Sequence, residues 1–378
     1  MFALIAAATV AVSLKVPPDP LPPVELYRSV STNPASGLLP DGAGSVYGTT
    51  EWGGTSGRGS LFRLAADGTY SVVHSFAGNP DGEAPLGDLF VDSASNLYGT
   101  TVFGGIAEIG TVFKVAPDGT ETVLHSFLGT ADGSAPGGGV VMDTHGNIYG
   151  TTQFGGASCG DSDGCGTVFK LAPDGSETIL HAFTCSDDGC YPLAGLIADK
   201  KGNLYGATSD GSKGSGKLFE ITARGVFEIL YRFPDDVVHG MFPTGRLVRD
   251  NDGNLYGTTY IGGTQAYGTV FKFSPTGFLT VLHSFTDTDG AEPYAGLVRD
   301  SKGNLYGATS LGGNRDCGTV FKVTPGGQET TLHTFFPNLN IDGCQPIGDL
   351  LQTKNGNIYG TTYLGGSGNH GTAFVITP

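Results

Sequence analysis

Of the 378 residues, 63 are glycine, about one in six against a usual share near 7%. No three-residue period is present, which excludes collagen, and glycine this frequent is too costly in helix interiors for a helical bundle. Hydrophobic residues at 39%, and a net charge of −16 from 20 Lys and Arg against 36 Asp and Glu, argue against a disordered chain and against nucleic acid or anionic membrane surfaces as partners.

The chain opens with an uncharged apolar run, Phe2 to Leu14. It is too short for a bilayer-spanning helix, which needs about 20 residues, but it has the length of a signal-peptide core. Ala11-Val12-Ser13 supplies small residues for cleavage, although no positive segment precedes the run. Residues 1–16 are therefore read as a signal peptide and the protein as secreted or extracytoplasmic. Residues 17–23, PPDPLPP, form an extended proline-rich linker. The folded region is expected over residues 24–378, with no membrane span and no hydrophobic tail before Pro378.

Self-similarity dominates that region. A Tyr-Gly pair recurs with Tyr at 47, 98, 149, 205, 256, 306 and 359. Around each pair lies one template, seen cleanly from Pro293 to Phe335: a short strand, then DSKGNLYGATS, LGGNRDC, GTVFKVTPGG and ETTLHTF. Asp-x-x-Gly-Asn turns join the first and second strands, and Pro-Asp-Gly turns join the third and fourth. Four short strands in a period of about 50 residues predict a β-propeller blade, so the fold class is all-β with seven four-stranded blades. Runs such as GTVFKV are apolar on both faces, as a sheet sandwiched between neighbouring blades requires. The last repeat ends after its third strand, and Glu25-Leu26-Tyr27-Arg28-Ser29 matches the fourth-strand slot. An N-terminal strand completing the seventh blade is therefore expected to close the ring. The long connections, between strands two and three and between blades, should share one face, where binding usually resides.

The run NLYGTT..GG....GTVFK..P.G....LHSF....DG..P resembles the GloVer tandem-repeat family, also described as choice-of-anchor repeat proteins. The resemblance covers residues 24 to 378 and implies a bacterial, exported repeat protein, often tethered by a further sorting segment. It implies no activity. The fourth repeat, Ala207 to Glu220, departs from the pattern by lacking the Gly-Gly pair.

Six cysteines fit a disulfide framework in an oxidising compartment better than a zinc site, because their spacings match no common ligand pattern. Cys165 and Cys317 both precede GTVF, while Cys190 and Cys344 both follow Asp-Gly. Repeat equivalence thus pairs Cys165 with Cys190 and Cys317 with Cys344, leaving Cys159 for Cys185. Pairing within loops, Cys159 with Cys165 and Cys185 with Cys190, is the alternative.

Candidate sites lie where the repeat breaks. Three residues after each blade's first Pro, four repeats carry Gly, whereas Asp88, Arg246 and Asp349 are charged and should face the central channel. They would either bind a ligand, act as a carboxylate pair on a sugar, or simply pair with one another in a wet channel. Tyr260, Tyr267 and Tyr363 have no repeated equivalent and are candidates for stacking on sugars or peptides. Asp81, Asp132, Asp188, Asp289 and Asp342 recur in Asp-Gly motifs and could form a partial ring at the channel mouth that holds Ca²⁺; turn chemistry is the competing reading. No other cofactor is expected. His74, His125, His181, His283 and His333 share one fourth-strand slot with Tyr27 and Tyr231, so a ring with a polar tip is required there rather than a proton shuttle. No nucleophile elbow, phosphate loop or HExxH motif is present. The sequence therefore reads as an exported, monomeric, non-catalytic module that binds a glycan or an extracellular protein. The alternatives are a polysaccharide lyase or glycoside hydrolase with a channel-mouth site, and a structural envelope protein.

Overall fold

A computed structural model describes residues 33–129, 131–156, 163–210, 215–336, 342–366 and 368–377. The sixth blade shows the plan. Val298–Arg299, Leu305–Thr309, Thr319–Val323 and Glu329–Thr334 form an antiparallel sheet in that order. Six such four-stranded sheets are present, and the described residues contribute three strands, Leu351–Gln352, Ile358–Thr362 and Thr372–Ile376, to a seventh. The expected all-β, seven-bladed propeller is what the chain forms. The signal peptide, the linker and the Glu25–Ser29 strand fall outside the described residues.

The Asp-x-x-Gly-Asn turn is held by its own aspartate. Asp300 Oδ1 accepts from the backbone N–H groups of Lys302 and Asn304, while Oδ2 accepts from the Asn304 side chain and from Tyr306 OH at 3.2 Å. Asp92, Asp143, Asp199 and Asp250 also accept from the tyrosine of their own repeats. In these five repeats the Tyr of the Tyr-Gly pair thereby anchors the turn six residues before it.

The Gly of the pair has a packing role. A Cβ on Gly307 would lie 2.5 Å from Phe321 Cζ, and Gly48, Gly99, Gly150, Gly206, Gly257 and Gly360 are each equally close to the phenylalanine of their own third strand. That phenylalanine meets a second one from the preceding blade: Phe76–Phe113, Phe127–Phe169, Phe183–Phe219, Phe233–Phe271, Phe285–Phe321 and Phe335–Phe374 are all edge-to-face pairs with centroids 5.0–5.4 Å apart. One aromatic pair thus fills each of six blade boundaries, and such geometry contributes roughly 0.5–1.5 kcal/mol beyond area burial.

Blades are also tied by polar contacts. Thr49, Thr100, Thr151 and Thr258 donate their hydroxyls to backbone carbonyls of the following blade. Thr361 donates in the same way to Ser36 O across 325 positions of sequence. Pro34 packs against Gly371 as Pro136 does against Gly110. The seventh blade therefore abuts the first and the ring is closed.

The two kinds of long connection share one face and pair with each other. Glu83 pairs with Phe103, Ser134 with Phe154, Cys190 with Asp210, Met241 with Ile261, Ala291 with Leu311 and Cys344 with Leu364. Cys317–Cys344 bridges two such connections as expected. The third repeat differs, because Cys185 bonds Cys190, five residues away in the same connection. This rules out Cys165–Cys190 and Cys159–Cys185 and favours the within-loop alternative. Cys165 is itself disulfide-bonded, and Cys159 lies outside the described residues.

Two stability predictions follow from this packing. Gly110 has φ +112° and a Cβ there would sit 2.5 Å from both Pro136 Cδ and Thr101 O, whereas Gly175 at φ +85° faces open space. Gly175→Ala should therefore cost only the left-handed backbone strain, about 1–2 kcal/mol, and Gly110→Ala distinctly more; urea unfolding of both variants compares them. In a chain-entropy model, opening Cys317–Cys344, with a separation of 27 residues, should cost about 3.5 kcal/mol, against about 2 for Cys185–Cys190. Denaturation of the two double Cys→Ser variants measures the difference.

Candidate channel-mouth site

At the hub, the residue three places after each first proline comes from every blade. Gly37, Gly139 and Gly296 leave space that the side chains of Asp88 and Asp349 occupy, while Gly195 packs on the backbone of Gly139. A Cβ on Gly37 would lie 2.9 Å from Asp349 Cβ and from Asp88 Oδ1, and one on Gly296 would lie 2.8 Å from Asp349 Oδ1. The backbone N–H of Gly37 donates to Asp88 Oδ1 at 2.7 Å, and that of Gly296 to Asp349 Oδ1 at 2.6 Å. Arg246 Nε donates to Asp349 Oδ2 at 3.1 Å, and its terminal nitrogen lies 3.6 Å from Asp88 Oδ2. The three predicted channel residues thus form one carboxylate–guanidinium–carboxylate bridge, and all four carboxylate oxygens are engaged.

Burial and the neighbouring Asp88 carboxylate push Asp349 up to about 7, against the opposing pull of Arg246. Burial disfavours the charge on Arg246, but the two carboxylates outweigh it and hold the guanidinium protonated.

Above this floor lies a cavity of about 530 Å³. Its rim carries two tyrosine–carboxylate pairs. Tyr260 OH donates to Glu292 Oε2 at 2.5 Å, and Tyr363 OH donates to Glu51 Oε2 at 2.6 Å. Burial, then the hydrogen bond to the glutamate, raises each phenol to about 12, so both remain proton donors at neutral pH. Tyr294 stands edge-on to Tyr260 with centroids 6.3 Å apart.

The rim is positioned by backbone pairing. The residue before each first proline is held at positive φ in six blades, for example Glu292 at 54° and Gln345 at 58°. In each of these blades its carbonyl accepts from the residue that follows the second strand, as Gln345 O does from Tyr363 N and Phe242 O from Tyr260 N. Non-glycine residues in this region are uncommon and mark strained, over-determined positions. Glu51, Glu292 and Tyr294 were not singled out by the sequence reading. They occupy regular slots, and only the tyrosine opposite reveals what the two glutamates do.

Other expectations are corrected. Tyr267 does not reach the cavity; it packs, half-buried, against the cluster containing Val270, Phe285 and Leu297. Asp81, Asp132, Asp188, Asp289 and Asp342 form no ring at the channel mouth. Each faces the fourth-strand histidine of its own blade: His74–Asp81 at 3.2 Å, His125–Asp132 at 3.4 Å, His181–Asp188 at 3.1 Å, His283–Asp289 at 3.0 Å and His333–Asp342 at 3.5 Å. Each of these five histidines therefore has a carboxylate partner in its own blade. The connection folds back on the strand it leaves, which carries the aspartate to the outer edge of the blade.

Among the described residues no helix is long and apolar enough to cross a membrane. No curated protein sequence matches the chain. Among solved structures, a streptogramin B lyase superposes with a TM-score of 0.63 at 16% identity, covering 93% of this chain and 97% of that one. A puromycin hydrolase superposes with a TM-score of 0.56 at 15% identity, covering 88% of this chain and 50% of that one. At such identities these likenesses bear on the fold alone. The Gloeobacter/Verrucomicrobia repeat model matches residues 26–160 and 154–374, nearly the whole propeller, and the chain is a member of that repeat family.

Proposed function

We propose that this propeller is an exported binding module that holds a neutral, hydroxyl-rich ligand, a glycan segment, in the channel mouth. The observation that carries this reading is the pair of Tyr–Glu contacts at the rim, Tyr260–Glu292 and Tyr363–Glu51, above a floor whose carboxylates are already engaged by Arg246 and backbone N–H groups. Carboxylates at the rim accept from sugar hydroxyls, and the faces of Tyr260, Tyr294 and Tyr363 offer apolar area with a polar tip. The floor bridge supplies no net attraction for a cation or an anion beyond one surplus carboxylate. The disulfides fit an oxidising compartment, in agreement with the expected export.

A second reading rests on Asp349 alone. A carboxyl raised to about 7 is suited to general acid catalysis near neutral pH, and enzymes are among the proteins that share this architecture. Against it, both oxygens of Asp349 already accept hydrogen bonds, Oδ1 from the Gly296 N–H and Oδ2 from Arg246 Nε.

The protein contains a single tryptophan, Trp52, adjacent to Glu51 at the rim. Glycan-array binding of residues 24–378, followed by titration of each hit on Trp52 fluorescence, tests the proposal. Tyr260→Phe or Glu292→Gln should weaken binding about tenfold or more, as expected for losing a hydrogen bond to a charged group. A blank array overturns the glycan reading, and turnover of a bound glycan that Asp349→Asn abolishes replaces it with the catalytic one. Asp349 also sets a pH prediction. Its folded-state value lies above the ordinary 3.8, so its contribution to stability is complete below that value and is lost as pH rises towards 7. Asp349→Asn, which mimics the protonated form, should therefore gain in Tm relative to wild type between pH 4.5 and pH 8.

A further inference from the structure

Away from the channel, three blade boundaries repeat one trio of side chains. His74 and Asp81 of the first blade meet Glu121 of the second, His125 and Asp132 meet Glu177, and His283 and Asp289 meet Glu329. In each trio one imidazole nitrogen and two carboxylate oxygens all lie within 4.8 Å of one another. In the second trio His125 Nε2 is 3.4 Å from Asp132 Oδ2 and 3.7 Å from Glu177 Oε2. In the other two the His–Asp separations are 3.2 and 3.0 Å. Ligands bound at about 2.0–2.1 Å around a tetrahedral ion stand roughly 3.3 Å apart, which the two contacts of the second trio approach; in the other two the His–Asp contact is itself a hydrogen bond.

In the first two trios some of these atoms are also under-used, whereas in the third Glu329 Oε1 accepts from Thr331 Oγ1. Glu121 Oε1, Glu177 Oε1 and His125 Nε2 are buried and make no hydrogen bond, and only 13% of the Glu177 side chain is exposed. At 3.4 Å the contact from His125 Nε2 to Asp132 is an electrostatic one without hydrogen-bond geometry. Buried polar atoms of this kind are ordinarily satisfied. The aspartates are oriented from behind by backbone N–H groups, Ala77 to Asp81, Leu128 to Asp132 and Thr286 to Asp289. Such outer contacts are what fix a ligating carboxylate.

The same protein supplies two comparisons. At the boundary of the third and fourth blades the glutamate slot holds Phe227, whose ring stacks flat on His181 at 3.6 Å. At the boundary of the fourth and fifth, Tyr231 replaces the histidine and Leu279 the glutamate, and both pack against the apolar core. A boundary can therefore be completed without the trio, which makes its presence at three of them a separate feature.

We propose that these three trios are binding sites for a zinc-class divalent ion, each with His, Asp and Glu as ligands and water in the fourth position. An imidazole with two carboxylates suits Zn²⁺ better than Ca²⁺, which takes oxygen ligands. The role is structural: each ion joins two adjacent blades at their outer edges, where strand pairing ends.

Equilibrium dialysis of chelator-treated protein against micromolar Zn²⁺, with elemental analysis, tests the proposal. Three ions per chain are expected, two in either Glu121→Phe or Glu177→Phe, and none in those two combined with Glu329→Leu. Phe and Leu are the residues this protein itself uses in that slot, so the variants should retain the far-UV spectrum of the metal-free wild type. Unchanged uptake in the triple variant, or no uptake by wild type, overturns the proposal. Independently of any variant, Co²⁺ loading should give the intense visible absorption of tetrahedral cobalt, and a weak octahedral spectrum overturns it.

Discussion

The architecture depends on one contact made again and again: the third-strand phenylalanine of each blade packing its ring tip against the glycine of its own Tyr-Gly pair. With a side chain on that glycine, the ring would be pushed out of the sheet by more than an ångström of overlap. With the ring in place, its edge meets the phenylalanine of the preceding blade at 5.0–5.4 Å, and the spacing between blades is set. The polar ties, Thr100 to Gly138 O and its counterparts, then have only to fix the rotation of one blade on the next.

This explains how much of the fold is legible in the sequence. Tyr-Gly, Asp-x-x-Gly-Asn and the Gly before TVF each report a contact made within one blade or with its immediate neighbour, so a repeating sequence reveals it. Cys317–Cys344 was legible for the same reason, since it joins two connections that pair in every blade. The third repeat defeated the argument because its two connection cysteines lie close enough to bond each other. The aspartates were misplaced because the sequence does not say which way a connection folds as it leaves the fourth strand.

The channel mouth was half legible. Asp88, Arg246 and Asp349 stand out as charges at a glycine position, and mutual pairing is one of the roles such charges suggest. Their closeness depends on the glycines beside them, Gly37, Gly139 and Gly296, an arrangement that only the ring provides. Glu51 and Glu292 escaped because each is ordinary in its own repeat and acquires meaning from a tyrosine on an adjacent blade. Lys217 is a similar case. It stands where the other blades have Thr or Ser, is fully buried, and its Nζ makes no hydrogen bond, a departure that the irregular fourth repeat does not announce.

Because the turn aspartate, the Tyr-Gly step and the paired connections are satisfied inside a single repeat, a blade is close to an exchangeable cassette. The chemistry at the hub is written by one position per cassette, the third after the proline, and at the rim by two more. None of these three positions contributes to the phenylalanine contacts that space the blades. A lineage built from this unit can therefore revise what its central site recognises by point changes, blade by blade, while duplication and exchange of whole repeats leave the ring intact.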